Sequence, residues 1–354
     1  MSTRVAVITQ HGTWSASTRA RALRHVERLA DEFETVDVFT ANDRPDRRPG
    51  RIGQTLFFAN HVVRYCKRYA QLRAVVNDYD ALLVQRGVYA MGPGSVVRPI
   101  EQFRGRVVLD LDDALLAETP SMQGKGVVAR WLYGPHQARR LLDRADEIVV
   151  STEVLAAELP RTAARVTVLP TVPDVPSYQM AVDGGTAGLI GWAGTNGGLR
   201  YLDPLRSVLA ELASEGVGRL RVVSSEPWSG PADFHRWSLE DEARLFAPFA
   251  VGIMPLPDTE YARAKAGYKL LQYMAAGVPV VASPVGVNTE LVERSGAGLL
   301  ARSPDEWDGA LRLLLASPGT RSTMGRAGRA FVEDLADPAG QAAVLASLLG
   351  ADDR

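Results

Sequence analysis

The chain has 354 residues, of which 46% are hydrophobic and 23% charged, and its formal net charge at pH 7 is -1. At roughly 100–200 residues per domain this length predicts two domains, and the apolar content excludes a disordered chain. No apolar run approaches the roughly 18 residues of a membrane-spanning helix. Because the single cysteine, Cys66, excludes an internal disulfide, we expect a cytoplasmic protein.

Apolar, β-branched runs alternate with helical patterns in the first half of the chain. The strand-like runs are 5–10, 36–41, 81–85, 106–113, 147–152 and 165–170. The helical patterns between them include 18–32, 54–77 and 127–144. Runs that are apolar throughout are typical of parallel strands buried on both faces. The alternation therefore predicts a doubly wound α/β domain over residues 1–170.

A segment without periodicity follows, and the alternation then resumes. Residues 170–187 contain three prolines and a Gly-Gly pair, which predicts a linker at 171–186. The later strand-like runs are 187–195, 219–225, 249–257, 279–286 and 297–302, and the later helical patterns are 304–316, 319–334 and 338–349. We predict a second Rossmann-like domain over 187–335 and a C-terminal helix in 336–354 that could cross back to the first domain. Two such domains would create a cleft, and α/β sheets bind ligands at the carboxyl ends of their strands.

Two of the four lysines of this arginine-rich chain mark its most informative segment, residues 252–288. Lys265 and Lys269 lie one turn apart where a helix is expected to start near Gly267, and Arg263 lies just before them. A helix N-terminus favours an anion, and cations there oppose the helix dipole unless an anion lies among them. The pattern predicts a diphosphate site, with a solvated basic helix start as the alternative.

The sequence KLLQYMAAGVPVVASPVGVN at 269–288 resembles the donor-site signature of glycosyltransferase family 4, a retaining family with the GT-B fold. The likeness extends to IGWAGT at 190–195, RVVLDLDD at 106–113 and VLPTVPD at 168–174, so it covers essentially the whole chain. It implies two Rossmann-like domains that face each other across a cleft, with the nucleotide sugar bound by the second domain and the acceptor by the first.

The resemblance implies roles for the residues around this helix start. Lys269 would contact the donor diphosphate, supported by Lys265 or Arg263. Gln272 stands where the family usually has the second glutamate of its E-x7-E pair, which holds the ribose hydroxyls, and Ala264 replaces the first. These departures bear on the donor sugar more than on the fold. The same donor-binding segment includes Gly267, Tyr268 and Leu270.

A glycine-rich stretch follows the start of the second half. We expect a strand-to-helix turn whose backbone N–H groups approach the donor phosphates. Its glycines are Gly191, Gly194, Gly197 and Gly198. Thr195 and Asn196 would add hydrogen bonds where the family often has an arginine. A plain tight turn is the alternative, and the spacing does not fit a dinucleotide fingerprint.

The loop after the first strand of the chain is the expected acceptor side, since related enzymes place it under the sugar and the acceptor. The residues expected to contact the acceptor are His11, Gly12, Ser17 and Arg19. Ser17 or Thr18 would cap the helix that begins there. Arg21, later in that helix, is expected on the solvent face with an acidic partner at helical spacing.

Three aspartates end the strand-like run at 106–113. Alternation puts Asp110 and Asp112 on one face, with Asp113 at the tip. Asp112 or Asp113 could orient acceptor hydroxyls or act as a base. The alternatives are a magnesium cluster and a cap for a helix beginning at residue 114. Because the resemblance implies that basic side chains and helix dipoles stabilise the leaving diphosphate, we expect no metal.

Residues 44–73 are rich in arginine and lysine and carry one acid, Asp46. A basic amphipathic helix can lie on an anionic membrane or bind a phosphorylated acceptor, which would place the protein at the inner face of the membrane. The charged outer face of a core helix is the alternative. The basic excess of the first half is too small to predict a nucleic-acid partner.

Together these patterns predict a metal-independent, retaining glycosyltransferase without a cofactor. It would transfer a sugar from a nucleoside diphosphate sugar, with a UDP- or dTDP-sugar favoured, to a hydroxyl of a natural product, a glycan or a lipid-linked acceptor. The abundance of Arg, Ala, Gly and Pro suggests a bacterial source. The alternatives are a pseudoglycosyltransferase or epimerase on the same fold and a catalytically silent partner subunit that binds nucleotide sugar. The oligomeric state is open.

Overall fold

The chain folds into two compact units. The computed structural model describes residues 3–41, 51–90, 92–114, 116, 135–242 and 244–351, without the side chains of 51–56 and 58. The first unit comprises Met1–Thr171 and Pro338–Arg354, and the second comprises Val172–Asp337. Each unit contains a six-stranded parallel sheet, which confirms the predicted α/β class with two doubly wound domains.

In the first unit the strands lie in the order β2-β1-β3-β4-β5-β6. They are β1 (Arg4–Thr9), β2 (Thr35–Thr40), β3 (Ala81–Gln85), β4 (Arg106–Leu111), β5 (Glu147–Val150) and β6 (Arg165–Val168). The helices are α1 (Ala16–Arg21), α2 (Val26–Glu32), α3 (Arg51–Val75), α4 (Arg98–Glu101), α5 (His136–Arg144) and α6 (Glu153–Glu158). The helix expected over 18–32 is interrupted by a 3-10 turn at Leu23–His25. Part of the helix expected over 127–144 lies outside the described residues.

Burial explains why the central strands of the first unit are apolar throughout. All five residues of β3 are buried, and so are Val5, Ala6, Val7 and Ile8 of β1. Leu29 of α2 packs against one face of this sheet together with Leu345. Leu345 belongs to a helix near the C-terminus of the chain, α13 (Pro338–Leu348), which therefore completes the core of the first unit.

In the second unit the strand order is β12-β11-β10-β7-β8-β9. The strands are β7 (Leu189–Ala193), β8 (Arg219–Ser224), β9 (Ala232–Arg236), β10 (Val251–Met254), β11 (Val280–Ala282) and β12 (Gly298–Leu300). The helices are α7 (Arg206–Ser214), α8 (Glu260–Arg263), α9 (Tyr268–Ala275), α10 (Asn288–Ser295), α11 (Pro304–Ala316) and α12 (Pro318–Leu335). A 3-10 segment, Asn196–Leu205, precedes α7. The edge strand β9 was not expected, because its residues are mostly polar and exposed.

The stretch expected as a linker is packed rather than extended into solvent. Val172, Val175 and Tyr178 are buried in the core of the second unit. At the other end of the same unit, the chain returns to the first unit at Pro338. There the Gln341 side chain donates a hydrogen bond to the Pro170 carbonyl at 3.1 Å. Among the described residues, the structure contains no helix long and apolar enough to cross a membrane.

Candidate functional site

The strand order of the second unit fixes where a ligand would bind. Strand β7 pairs with β8 on one side and with β10 on the other. Successive strands are therefore added on one side of β7 up to β9 and on its other side from β10 onward. Loops that leave the carboxyl ends of two such strands diverge and form a crevice, the usual ligand site of an open α/β sheet. The two loops are the one that follows Ala193 and the one that precedes α9.

The second of these loops ends in a sharp turn, after which α9 begins beside the crevice. Gly267 precedes α9 and has a φ of 65°, a left-handed conformation. This backbone conformation favours glycine, and a Cβ atom at this position would lie 2.5 Å from Leu291 Cδ1. Lys269 is the second residue of α9, a helix of eight residues. Its ammonium therefore lies at the positive end of a helix dipole.

The three predicted cations differ in their surroundings. The Lys269 Nζ atom lies 5.5 Å from the centroid of the Trp192 ring. The Lys265 Nζ atom lies 4.4 Å from the centroid of the Tyr261 ring. Both lysines are half-buried. Arg263 is exposed and forms an ion pair with Asp258 at 2.6 Å, and this hydrogen bond lowers the pKa of Asp258. Each lysine ammonium thus lies over an aromatic ring, and the arginine pairs with a carboxylate.

Only part of the glycine-rich stretch lies in the turn. Gly191 lies inside β7 rather than in the turn, and a Cβ atom there would lie 1.9 Å from the Phe249 ring. The Gly194 N–H donates to the Val223 carbonyl and the Gly198 N–H to the Thr195 carbonyl, at 3.0 and 2.8 Å. These N–H groups are therefore used within the protein. Three of the four glycines make room for aromatic rings, and the fourth, Gly197, does not.

The tip of this turn is exposed to solvent. Thr195, Asn196 and Gly197 are all exposed. The Asn196 Oδ1 atom accepts hydrogen bonds from the hydroxyls of Ser224 and Ser225, at 3.2 and 2.6 Å. The Asn196 side chain is therefore fixed against the end of β8.

The position of the expected ribose contact is more enclosed than the sequence suggested. Gln272 is buried, and its Nε2 atom donates to the Tyr178 hydroxyl at 2.8 Å and to Glu242 Oε1 at 3.3 Å. Ala264 is fully buried and Leu270 is part of the apolar core. Glu242, which the sequence analysis missed, is half-buried, and its carboxylate lies beside the Gln272 side chain. Its only sequence signal is the acidic LEDE at 239–242.

In the first unit the strand order reverses between β1 and β3, so the loops after these strands form the corresponding crevice. Ser15, not Ser17 or Thr18, caps α1, because its side chain accepts from the Thr18 N–H. The Ser17 hydroxyl instead accepts a hydrogen bond from Gln85 Nε2 at 2.8 Å. The turn before it contains Gly12 and His11, whose ring packs on Trp14 with centroids 5.2 Å apart.

Two arginines of this region have structural partners. The Arg19 Nη1 atom donates to the Thr13 carbonyl at 3.0 Å, which ties α1 to the preceding loop. Arg21 was expected on the solvent face, and this expectation is wrong. Its guanidinium is buried against Asp110, with Nη2 at 2.7 Å from Oδ2. Asp110 is therefore a structural residue of the first unit.

Asp112 and Asp113 form ion pairs with Arg86, a residue that the sequence analysis missed. The Arg86 Nη1 atom lies 3.4 Å from Asp112 Oδ1 and its Nη2 atom lies 3.1 Å from Asp113 Oδ2. Burial opposes ionisation of Asp112, but Arg86, a hydrogen bond from Ser17 and the charge of Arg21 outweigh it and lower the pKa of this carboxyl. Asp112 is thus ionised at neutral pH.

Arg86 also has an uncommon backbone conformation. Its φ is 64°, in the left-handed region that residues with side chains seldom adopt. The sequence signal was available, because Arg86 and Gly87 directly follow an apolar strand at its carboxyl end.

Within the described residues, no group of three His, Cys, Asp or Glu side chains could hold a metal ion. The helix expected from residue 114 lies almost wholly outside them.

The basic segment at 44–73 lies partly outside the described residues. Within α3, Arg68 is buried rather than exposed on a basic face. Its guanidinium donates to the carbonyls of Val88, Thr9 and Phe39, at 3.0, 3.1 and 2.8 Å. This arginine therefore ties α3 to the carboxyl ends of β1 and β2. Lys67, next to it, is exposed.

Comparison with known proteins agrees with this architecture. Residues 217–317 match the family of glycosyl transferases group 1, and this span includes both lysines and Gln272. No curated protein gives a significant match. Sucrose-phosphate synthase from Thermosynechococcus elongatus has a similar structure, with a TM-score of 0.69, 17% identity and coverage of 98% of both chains.

Two further solved structures share the fold over almost their whole length. Anabaena HepE in complex with UDP-glucose has a TM-score of 0.67 and 13% identity, and the alignment covers 98% of this chain and 99% of that one. WaaG, a glycosyltransferase involved in lipopolysaccharide biosynthesis, has a TM-score of 0.60 and 14% identity, with the same coverage. The chain therefore has the GT-B fold and contains a glycosyl transferases group 1 domain.

Proposed function

We propose that the protein is a retaining glycosyltransferase of family 4 that transfers a sugar from a nucleoside diphosphate sugar to an acceptor hydroxyl. The observation that carries the proposal is the pair Lys265 and Lys269 before and in the first turn of α9, beside the crevice between β7 and β10. Both lysines lie in the span that matches glycosyl transferases group 1.

The chemistry of the reaction explains why positive charge is needed there. As the sugar–phosphate bond breaks, negative charge develops on the diphosphate and oxocarbenium-like charge on the sugar. Preorganised cations and a helix N-terminus at the leaving group stabilise that transition state. In this proposal Lys269 is the principal contact of the diphosphate, Lys265 supports it, and Thr195 and Asn196 lie on the opposite side of the crevice.

A uridine or thymidine diphosphate sugar is the proposed donor. HepE is recorded in complex with UDP-glucose, which supports a pyrimidine nucleotide here by similarity of fold. Gln272, with Glu242 beside it, is the proposed contact of the ribose hydroxyls. Ala264 has no carboxylate, so a second carboxylate cannot come from that position.

The first unit supplies the proposed acceptor contacts. Asp112 and Asp113, held by Arg86, would orient an acceptor hydroxyl or accept its proton, with His11 and Ser17 nearby in the loops of the same sheet edge. The proposed reaction needs neither a metal nor a cofactor, and the protein would act in the cytoplasm or at the inner face of the membrane.

One observation favours a second candidate, a partner subunit that binds nucleotide sugar without turning it over. Neither position of the expected glutamate pair carries a carboxylate, because Ala264 and Gln272 replace both. In that case the donor would bind and persist unchanged.

Hydrolysis of the donor tests both candidates without knowledge of the acceptor. The full chain is incubated with UDP- and dTDP-sugars, with and without EDTA, and the released nucleotide is measured. With UDP-α-glucose, proton NMR identifies the anomer of glucose that forms first, and a retaining enzyme gives the α-anomer. We expect EDTA-insensitive release that falls by roughly 10²–10³-fold in Lys269→Ala. Binding without release would favour the silent subunit, and unaltered release in Lys269→Ala would refute the donor site.

A further inference from the structure

The indole ring of Trp192 lies directly beneath the glycine turn of the second unit. Trp192 is in β7 and only 2% exposed. A Cβ atom at Gly194 would lie 2.6 Å from its Cη2 atom, and one at Gly198 would lie 3.2 Å from its Cζ2 atom. The ring therefore occupies the space that side chains at these two positions would need, and it packs closely against the turn.

Lys269 packs on the same ring and turn from the first turn of α9. Its Nζ atom lies 5.5 Å from the Trp192 ring centroid. Its Cε atom lies 3.0 Å from an ideal Cβ at Gly194, so a larger residue in the turn would push the lysine away. The negative face of an indole attracts an ammonium. This attraction stabilises a cation at a helix N-terminus, where the dipole opposes it.

Trp192 differs in this respect from the ring beneath the second lysine. Tyr261 lies under Lys265 but is itself only half-buried. Trp192 is packed within the apolar core, together with Leu202 and Ile253. Of these two aromatic platforms, Trp192 is therefore the one whose position the core fixes.

We infer that Trp192 is a positioning residue of the donor site, which holds the Lys269 ammonium against the glycine turn before the diphosphate arrives. The inference rests on the proposed function, since it assigns the diphosphate to Lys269. A lysine without this platform would lose its rotamer freedom on binding and would bind the anion more weakly.

A double-mutant cycle tests the coupling between the two side chains. UDP is titrated calorimetrically into the full chain, Trp192→Phe, Lys269→Ala and the double variant, with folding checked by circular dichroism. Trp192→Phe should weaken UDP binding about 3- to 10-fold in the wild-type background and no further in the Lys269→Ala background. Equal weakening in both backgrounds would make Trp192 purely structural and overturn the inference.

Trp228→Phe is the matched control. Trp228 belongs to the same core and has a cation, Arg206, 4.7 Å from its ring centroid. Its replacement should leave UDP affinity unchanged, and a loss equal to that of Trp192→Phe would contradict the inference.

Fluorinated tryptophan provides a test that leaves the residue in place. Fluorine weakens the negative face of the ring, so UDP affinity should fall stepwise with the number of fluorines. The other five tryptophans are labelled too, and in Trp192→Phe the effect should disappear. An affinity independent of fluorination would overturn the inference. Failure of the wild type to bind UDP or any nucleotide sugar would refute the proposed function as well, whereas UDP binding that Trp192→Phe leaves unaltered refutes this inference alone.

Discussion

The buried pair of Arg21 and Asp110 allows a quantitative prediction about the first unit. The two side chains are 2% and 1% exposed, and Arg21 Nε and Nη2 donate to the carboxylate at 2.7 to 3.0 Å. The Arg21 Nη1 atom donates to the Leu169 carbonyl and the Thr171 hydroxyl. Arg21→Met keeps an apolar stem of similar length but leaves the carboxylate without its counter-ion. Breaking a buried pair in this way costs about 3–5 kcal/mol.

The loss should depend on pH in a defined direction. Burial raises the pKa of Asp110, and Arg21 opposes this effect. Without Arg21, the pKa of Asp110 in the folded state rises further above its value in the unfolded chain. A raised pKa means that stability is retained at low pH and lost as the pH rises through the folded-state pKa. Arg21→Met should therefore be less destabilised at pH 5 than at pH 8.

Hydrogen exchange measures the loss of stability of the first unit, and it does so without assuming that both units unfold together. The opening free energy of amides in β1 and β4 should fall by about 3–5 kcal/mol in Arg21→Met, whereas amides in β7 of the second unit serve as the internal control and should not change. The double variant Arg21→Met/Asp110→Leu removes the stranded charge and should recover most of the loss. A loss below about 1 kcal/mol, or a double variant no better than the single one, would refute the reasoning.

Three further predictions concern other buried polar groups. Arg321→Met removes a 2%-exposed guanidinium that donates to the carbonyls of Gly184, Leu314 and Leu315, and calorimetric melting should show a loss of about 3 kcal/mol. In Tyr273→Phe the Ala193 N–H loses its 2.9 Å bond to the hydroxyl; urea unfolding should show a loss of about 1–3 kcal/mol, and an unchanged midpoint would contradict this. Burial, followed by the charges of nearby arginines, lowers the pKa of His25 to about 3. Its ring protons should therefore not titrate in NMR spectra between pH 5 and 8, and stability should fall below about pH 6, where only the unfolded chain takes up the proton.

The sheets could be predicted because their strands are buried on both faces. Runs such as 81–85 are apolar throughout, and the structure has β3 at Ala81–Gln85. Strand β9 breaks this rule, since it is an edge strand whose Phe234 is 40% exposed, and its sequence contains no apolar run. The start of α9 was also predictable, because Gly267 and the lysines around it form a local signal.

The partners of the site residues were not predictable from local spacing. Arg21 was expected to face solvent beside an acid of its own helical segment, yet its partner is Asp110, 89 positions away. Gly191 is followed by other glycines, yet its role is to admit the ring of Phe249. Arg86 follows a predicted strand, but its pairing with the aspartates after β4 depends on the strand order, which puts its loop beside them. Such pairings depend on which strands are neighbours, and one sequence does not encode that locally.

Calorimetric titration of UDP into the full chain tests the central claim most directly. Lys269→Ala is compared with the wild type, and Lys67→Ala, which removes an exposed lysine of the first unit, is the matched control. The account predicts that UDP binds the wild type, that Lys269→Ala weakens binding at least tenfold, by about 1.4 kcal/mol or more, and that Lys67→Ala binds like the wild type. Binding that is equally strong in Lys269→Ala, or equally weakened in both variants, would contradict a diphosphate site at the start of α9.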